Sequence, residues 1–288
     1  MYVIGHISMD RIIDAEDNIT ISIGGAPTYC GFYLTQLGLR VEPVSVVGGD
    51  FSRINEYIER EIPINWIRVE PSCNTTSYEL RYRPDGSRKL RLLSKCRDLT
   101  VDDVNAVRGI AVLNPIAGEV SLELMRKIRG SVDFLAIDAQ GFTRRFDADG
   151  NVYNKLDDYT LNSMLEAGNM IKLSSEDAEK LDVDKLSRDD RYILVTAGSK
   201  LGFLLHNGKR YVFKSIPTIN AIDPTGAGDV AGCMLAWHLS KGEDIKWSLA
   251  RAMAMSMEKV RHLGPHGVID SSNVNELTDL LLGLIDTA

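Results

Sequence analysis

The sequence predicts an α/β domain in which helices cover both faces of a mostly parallel sheet, and three observations carry that expectation. The chain opens on a βαβ pattern: an apolar run over residues 2–7, a helical period over 26–37 stopped by Gly38, and a second apolar run over 41–47. Between residues 109 and 196 short apolar runs alternate with helical periods, which is the pattern of parallel strands buried on both faces. Near the C-terminal third a glycine-rich loop, Asp223-Pro224-Thr225-Gly226-Ala227-Gly228-Asp229, runs straight into a helix. At 288 residues the length admits one large domain or two ordinary ones, and no linker or repeat divides it.

Taken in order, the first strand ends at a polar turn that carries Asp10, and ligands of open α/β sheets sit at such strand ends. Residues 18–23 alternate polar and apolar and lead into Gly24-Gly25, a strand entering a hinge. Residues 54–61 suit a helix. From 69 to 94 the character changes: 75–83 and 88–93 alternate around the turn Pro84-Asp85-Gly86-Ser87, which reads as a hairpin standing off the main sheet. Strands are then expected at 110–113, 134–138, 170–173 and 192–196, with helices at 121–129, 157–166 and 175–181. A hairpin at 202–205 and 210–213 turns at Asn207-Gly208, and helices over 247–262 and 273–285 close the chain.

Composition narrows the class of protein. Forty acidic against thirty-three basic residues give a formal charge of −7, which disfavours general attraction to nucleic acid or an anionic membrane. No segment reaches the length of a membrane-spanning helix, the N-terminal apolar run is too short for a signal peptide, and a cytoplasmic protein is expected. Cys30, Cys73, Cys96 and Cys233 lie far apart without zinc-type spacing, so they are expected as reduced thiols.

The loop into the helix at 223–240 carries the chemistry. A helix N-terminus exposes unpaired N–H groups and partial positive charge, which suits phosphate, while Gly226 and Gly228 let the backbone approach a ligand closely. Asp229 inside that site would repel an anion. It either complements the helix dipole or takes a proton from a hydroxyl while the 226–228 amides hold a phosphoryl group in transfer.

Gly24-Gly25, Val47-Gly48-Gly49-Asp50, Thr196-Ala197-Gly198-Ser199-Lys200 and the loop ending in Asp229 together resemble the ribokinase-like (PfkB) family of carbohydrate and nucleoside kinases, in order and along nearly the whole chain. The resemblance implies one three-layer α/β domain spanning 1–288, with a small β lid formed by about residues 11–23 and 69–94. It implies ATP-dependent transfer of a phosphoryl group to a hydroxyl of a sugar or related polyol, with a nucleoside or inositol as alternative acceptors. Asp229 matches the base, and Gly226, Ala227 and Gly228 match the anion hole. Asp10, Gly24, Gly25 and Asp50 match substrate contacts, and Tyr29 stands where the family often has a substrate-binding Asn, adding an aromatic surface that stacks on a ring or packs. Ser174, Thr196, Gly198, Ser199 and Gly202, with Gly226 and Gly228, match nucleotide contacts. Ser174-Ser175-Glu176-Asp177 stands where Asn-x-x-Glu is usual, leaving Asp177 or Glu176 for Mg2+, and Asp223 matches a position linked in some members to a monovalent cation such as K+. Lid edges that pair between subunits would give a homodimer.

Two other readings compete. A dinucleotide fingerprint over Gly226, Gly228 and Gly232 needs a ribose-binding acid about twenty residues on at a strand end, and Ser248 stands there inside a helix; no Walker P-loop occurs. A binding protein that has kept the fold and lost catalysis is the non-enzymatic alternative.

Overall fold

A computed structural model describes residues 1–83, 88–179, 181–186, 190–198, 202–213 and 221–287. The strands are β1 (Tyr2–Ile4), β2 (Ser8–Ile13), β3 (Ile19–Gly24), β4 (Glu42–Gly48), β5 (Ile67–Glu70), β6 (Ser77–Tyr82), β7 (Arg88–Ser94), β8 (Gly109–Leu113), β9 (Val132–Asp138), β10 (Arg144–Phe146), β11 (Val152–Asn154), β12 (Met170–Ser174), β13 (Tyr192–Thr196), β14 (Gly202–His206), β15 (Lys209–Phe213) and β16 (Asp286–Thr287). The α-helices are α1 (Ala26–Leu34), α2 (Ile54–Ile58), α3 (Leu122–Arg129), α4 (Gln140–Thr143), α5 (Asp158–Ala167), α6 (Ser175–Ala178), α7 (Ala227–Ser240), α8 (Ile245–Lys259) and α9 (Ser271–Leu284).

Ten strands form the main sheet in the order β16-β15-β14-β13-β12-β9-β8-β1-β4-β5. From β5 to β13 every pairing is parallel, and the hairpin strands β14 and β15 extend it antiparallel. The strands are continuous apolar runs because helices cover both faces. One core joins α1, α7, α8 and α9 to the sheet through residues such as Tyr33, Met234 and Ala254, and the other joins α3 and α5 through Met125 and Met164. Sequence marks several helix starts: Ser121, Asp157, Ser174, Asp244 and Asp270 each accept a backbone N–H of the first turn.

The segments expected as the lid form a second sheet, β3-β2-β6-β7, hereafter the lid. Residues 69–70, expected within it, belong to β5 instead, because Val69 and Glu70 continue the main sheet in register with Val47 and Gly48. The turn at 84–87 lies outside the described residues. A short segment over 140–154, for which the sequence shows no clear period, forms α4 and the hairpin β10–β11, and Phe146 and Val152 pack against the buried cluster that contains lid residues Tyr78 and Leu80. The cysteine expectation is corrected in part: Cys73 and Cys96 are joined as a disulfide with Cα atoms 5.2 Å apart, while Cys30 and Cys233 are free and buried. Twenty-three residues separate the pair in sequence, and the lid hairpin returns the second to the first.

Candidate active site

Helix α7 begins at Gly226, which caps it in the left-handed region at φ 78°. A Cβ there would also lie 2.3 Å from the Tyr29 ring, so glycine is required on both counts. The first i to i−4 bond runs from Val230 N to Gly226 O at 3.0 Å, and Ala227 N reaches Pro224 O at 3.3 Å. The N–H groups of Gly228 and Asp229 therefore precede the helical ladder, as the first N–H groups of any helix do.

Asp229 accepts a hydrogen bond from Asn114 Nδ2 at 2.9 Å. Burial pushes its carboxyl above the usual range and Asp138 adds to this, while the Lys172 ammonium, Asn114 and Arg144 oppose it. The group is thus more basic than a solvated aspartate. Lys172 rises from the middle of β12, pairs with Asp138 at the end of β9, and is held charged, because its two carboxylate neighbours outweigh the effect of burial. Its stem crosses the first turn of α7, since Cβ atoms at Gly228 and Gly232 would lie 3.2 Å from its Nζ and 3.3 Å from its Cδ. These glycines make room for the lysine.

Two pockets meet here. The first lies under the lid and is lined by Asp10, Gly25, Tyr29, Thr225, Gly226 and Asp229, with an apolar wall of Tyr78, Leu80, Leu90 and Ile116. Asp10 accepts from Ser8 Oγ at 2.9 Å and Tyr78 N at 3.0 Å; burial still raises it to about 6. Gly24 stands against it, where a Cβ would lie 2.5 Å from Oδ2. Tyr29 is buried beneath the loop and contributes one wall. The lid reaches the loop directly, with Tyr82 Oη 2.9 Å and Arg88 Nη1 3.1 Å from Thr225 Oγ1.

The second pocket is lined by Asp138, Thr143, Lys172, Ser174, Asp177 and Thr196, and Gln140 and Arg144 line both pockets. Ser174 caps α6, taking the Asp177 N–H at 3.1 Å and donating to Oδ2 at 2.7 Å. Asp177 is buried against this pocket, whereas Glu176 is exposed on the outer side of α6. Two carboxylates, Asp138 and Asp177, on a polar pocket fit the way magnesium is held through one or two carboxylates plus phosphate oxygens; no group of three or more acidic, Cys or His residues forms a cage among the described residues. Gly198 is exposed at φ 59°. Gly202 opens β14 against the Phe213 ring, which a Cβ would meet at 2.4 Å, and Ser199 lies outside the described residues.

Two expected contacts take other places. Asp50 is exposed, absent from the residues lining either pocket, and accepts both the N–H and the Oγ1 of Thr75 at 2.7 Å, which fixes the foot of the lid. Asp223 is buried beneath the loop, where it accepts Thr225 N at 2.9 Å, Gly264 N at 2.9 Å and the Lys259 ammonium at 3.4 Å. Burial raises its carboxyl, but Lys259 and the two N–H donors outweigh that and hold it ionised. A monovalent cation does not fit here, because the ammonium already fills the oxygen cradle. Asn114, Asp138, Arg144, Lys172 and Lys259 escaped the sequence reading, although a lysine inside the apolar run Met-Ile-Lys-Leu is a signal of a buried charge with a partner.

Residues 161–271 match the family model of the pfkB family carbohydrate kinases. An inositol 3-kinase of Arabidopsis thaliana is 29% identical over 242 residues, covering 79% of this chain and 64% of that protein, so the chain spans just under two thirds of its length. A cytidine kinase of Thermococcus kodakarensis is 22% identical over 277 residues, 92% of this chain and 97% of that one. Among solved structures, a pyrophosphate-dependent myo-inositol-1 kinase converted into a myo-inositol-3 kinase by one asparagine-to-leucine and one serine-to-leucine change superposes with a TM-score of 0.75 at 23% identity, over 98% of this chain and 99% of that one. The matched segment contains the glycine-rich loop that enters α7, and along nearly its whole length the chain has the ribokinase-like fold.

Proposed function

We propose that the protein is a small-molecule kinase that transfers a terminal phosphoryl group to a hydroxyl of a cyclic polyol of the inositol class. The carrying observation is the placement of Asp229: it lines the pocket under the lid in the first turn of α7, within the field of the Lys172 ammonium that lines the second pocket with Asp177. A base, an acceptor pocket and an anion hole in line are the parts phosphoryl transfer needs.

Asp10 receives a hydroxyl of the acceptor, and Asp229 takes the proton from the attacking one. The Gly228 and Asp229 N–H groups, with Ala227 and Gly226 shaping the turn, and the Lys172 ammonium neutralise charge on the phosphoryl oxygens. Arg144, common to both pockets, spans the path between acceptor and donor. Ser174 and Thr196 border the donor side. Magnesium, held by Asp177 and Asp138, would neutralise donor phosphate charge when bound. The exposed edge strand β3, with Ile19 and Ile21 outward, supports pairing of two lids in a homodimer.

The apolar wall of Leu80, Leu90, Tyr78 and Ile116 opposite Asp10 suits a ring with an apolar face and a rim of hydroxyls, and the inositol kinases among the relatives support that acceptor. The test is ADP or phosphate release with myo-inositol, sugars and nucleosides, each with ATP or pyrophosphate and magnesium; turnover on nucleosides alone would overturn the acceptor, and no turnover on any would overturn the reading. Leu80 and Leu90 face each other across β6 and β7, and exchanging them for Asn and Ser is expected to change the ratio of the two mirror-image inositol monophosphates, read by chiral chromatography.

Asp10 gives a pH dependence. Its carboxyl ionises near pH 6, so the acceptor KM is expected to fall as pH rises through about 6. The same raised value makes ionised Asp10 a cost to the fold above that pH. Asp10→Asn should therefore raise the melting temperature at pH 8, less so at pH 5, while weakening acceptor binding. An acceptor KM flat from pH 5 to 8 would remove Asp10 from the binding site.

A further inference from the structure

The oxygen cradle beneath the catalytic-type loop is where the family resemblance places a monovalent cation, and it is filled by this chain's own side chain. Lys259, the last residue of α8, is fully buried. Its Nζ donates to the Asp223 carbonyl at 2.9 Å, to Asp223 Oδ2 at 3.4 Å and to the His262 carbonyl at 3.4 Å, and it lies 5.4 Å from the centre of the Tyr29 ring. Two carbonyls and a carboxylate converging on one positive charge are the donor set of an alkali-metal ion, with an ammonium at its centre.

We infer that Lys259 is a covalently tethered substitute for a monovalent cation and a positioning residue for the anion hole, so that the protein needs no potassium. The path from Lys259 to the loop is short. Asp223 Oδ1 takes the Thr225 N–H at 2.9 Å, and its main chain is anchored to the end of α8 through Ile222 N and Asp223 N on Val260 O at 2.7 and 3.1 Å. Gly226 follows and starts α7. A positive charge under the loop thus neutralises Asp223, fixes the turn that presents the N–H groups of Gly228 and Asp229, and stacks beneath the Tyr29 ring on which Gly226 rests. A tethered ammonium is present at any ionic composition and costs no binding entropy, whereas a free ion is held only in proportion to its concentration.

The experiment uses the whole protein and reads melting temperature first, so that its outcome does not depend on the acceptor or on the proposed reaction. Wild type is compared with Lys259→Ala, which opens the cradle, and Lys259→Met, which fills it without charge, in chloride salts of potassium, ammonium, sodium and choline at equal ionic strength. Wild type should melt at the same temperature in all four. K259A should melt lower in choline and regain roughly 3 °C or more in potassium or ammonium at about 100 mM, the size of shift expected of a ligand well above its Kd. K259M should be low and unresponsive. If an acceptor is turned over, the same ions should restore kcat in K259A with little change in acceptor KM. A potassium-dependent rise in wild type would overturn the inference, as would a K259A that potassium and ammonium restore no better than choline, including one that folds in none of the salts.

Discussion

Asp229→Asn is expected to lower kcat by about 10²- to 10⁴-fold, the range for loss of a positioned general base, while the protein melts at a higher temperature than wild type. The two effects have one cause. Burial and the neighbouring Asp138 raise the Asp229 carboxyl, so its ionised form is a cost to the folded state above its ordinary range, and the neutral amide removes that cost. Asn keeps the shape and the partner, Asn114 Nδ2 or its flipped carbonyl. Steady-state rates with the preferred acceptor, set beside thermal melts at pH 8, check both halves. Wild-type turnover in this variant would leave Asp229 as a helix-dipole residue only.

Lys172→Met is expected to reduce kcat by about 10²- to 10³-fold, comparable to removing one anion-hole donor, and to shift the acidic limb of the kcat/KM profile to higher pH. The shift follows because the ammonium opposes the upward pull on Asp229; without it the base holds its proton to higher pH. Breaking a buried pair also leaves Asp138 uncompensated, at a cost of about 3–5 kcal/mol. Lys172→Met with Asp138→Asn should restore stability without restoring activity, since it lacks both the ammonium and a carboxylate of the donor pocket. Recovery of both would make Lys172 a structural charge alone.

Much of this arrangement can be read from the chain before any coordinates. Alternation of apolar strands and helices marks the parallel sheet, and the loop from Asp223 to Asp229 marks the helix N-terminus, since glycine spacing and the following apolar face are local properties. Asn114, Asp138 and Lys172 are different. Asn114 and Asp138 sit at the ends of two strands and Lys172 in the middle of a third, 24 or more residues from one to the next, and only the parallel order β8-β9-β12 brings them beside α7. Arg144 was hidden for another reason: Arg144-Arg145-Phe146 is too short to show a period, and it becomes a strand only through pairing with β11 and packing on the lid. Asp50 shows the reverse. A polar residue after a strand ending in two glycines matches a substrate contact, yet its carboxylate is taken by Thr75. Lys259 ends an apolar helix, where a solvated lysine is ordinary, and nothing local announces that it turns inward.

The bridge between Cys73 and Cys96 closes a ring whose contents are the hairpin β6–β7 itself. In the chain-entropy account a closure of this length removes about 3–4 kcal/mol of freedom from the unfolded state, but its mechanical meaning is more specific. Both feet of the hairpin are pinned to one point, beside the Asp50 to Thr75 clasp, so the two strands cannot shear past each other or part at the base. Tyr78, Leu80, Tyr82, Arg88 and Leu90 are thus carried on one cross-linked pair of strands. The contacts of Tyr82 and Arg88 with Thr225 are therefore made from one unit whose two strands share a single covalent foot.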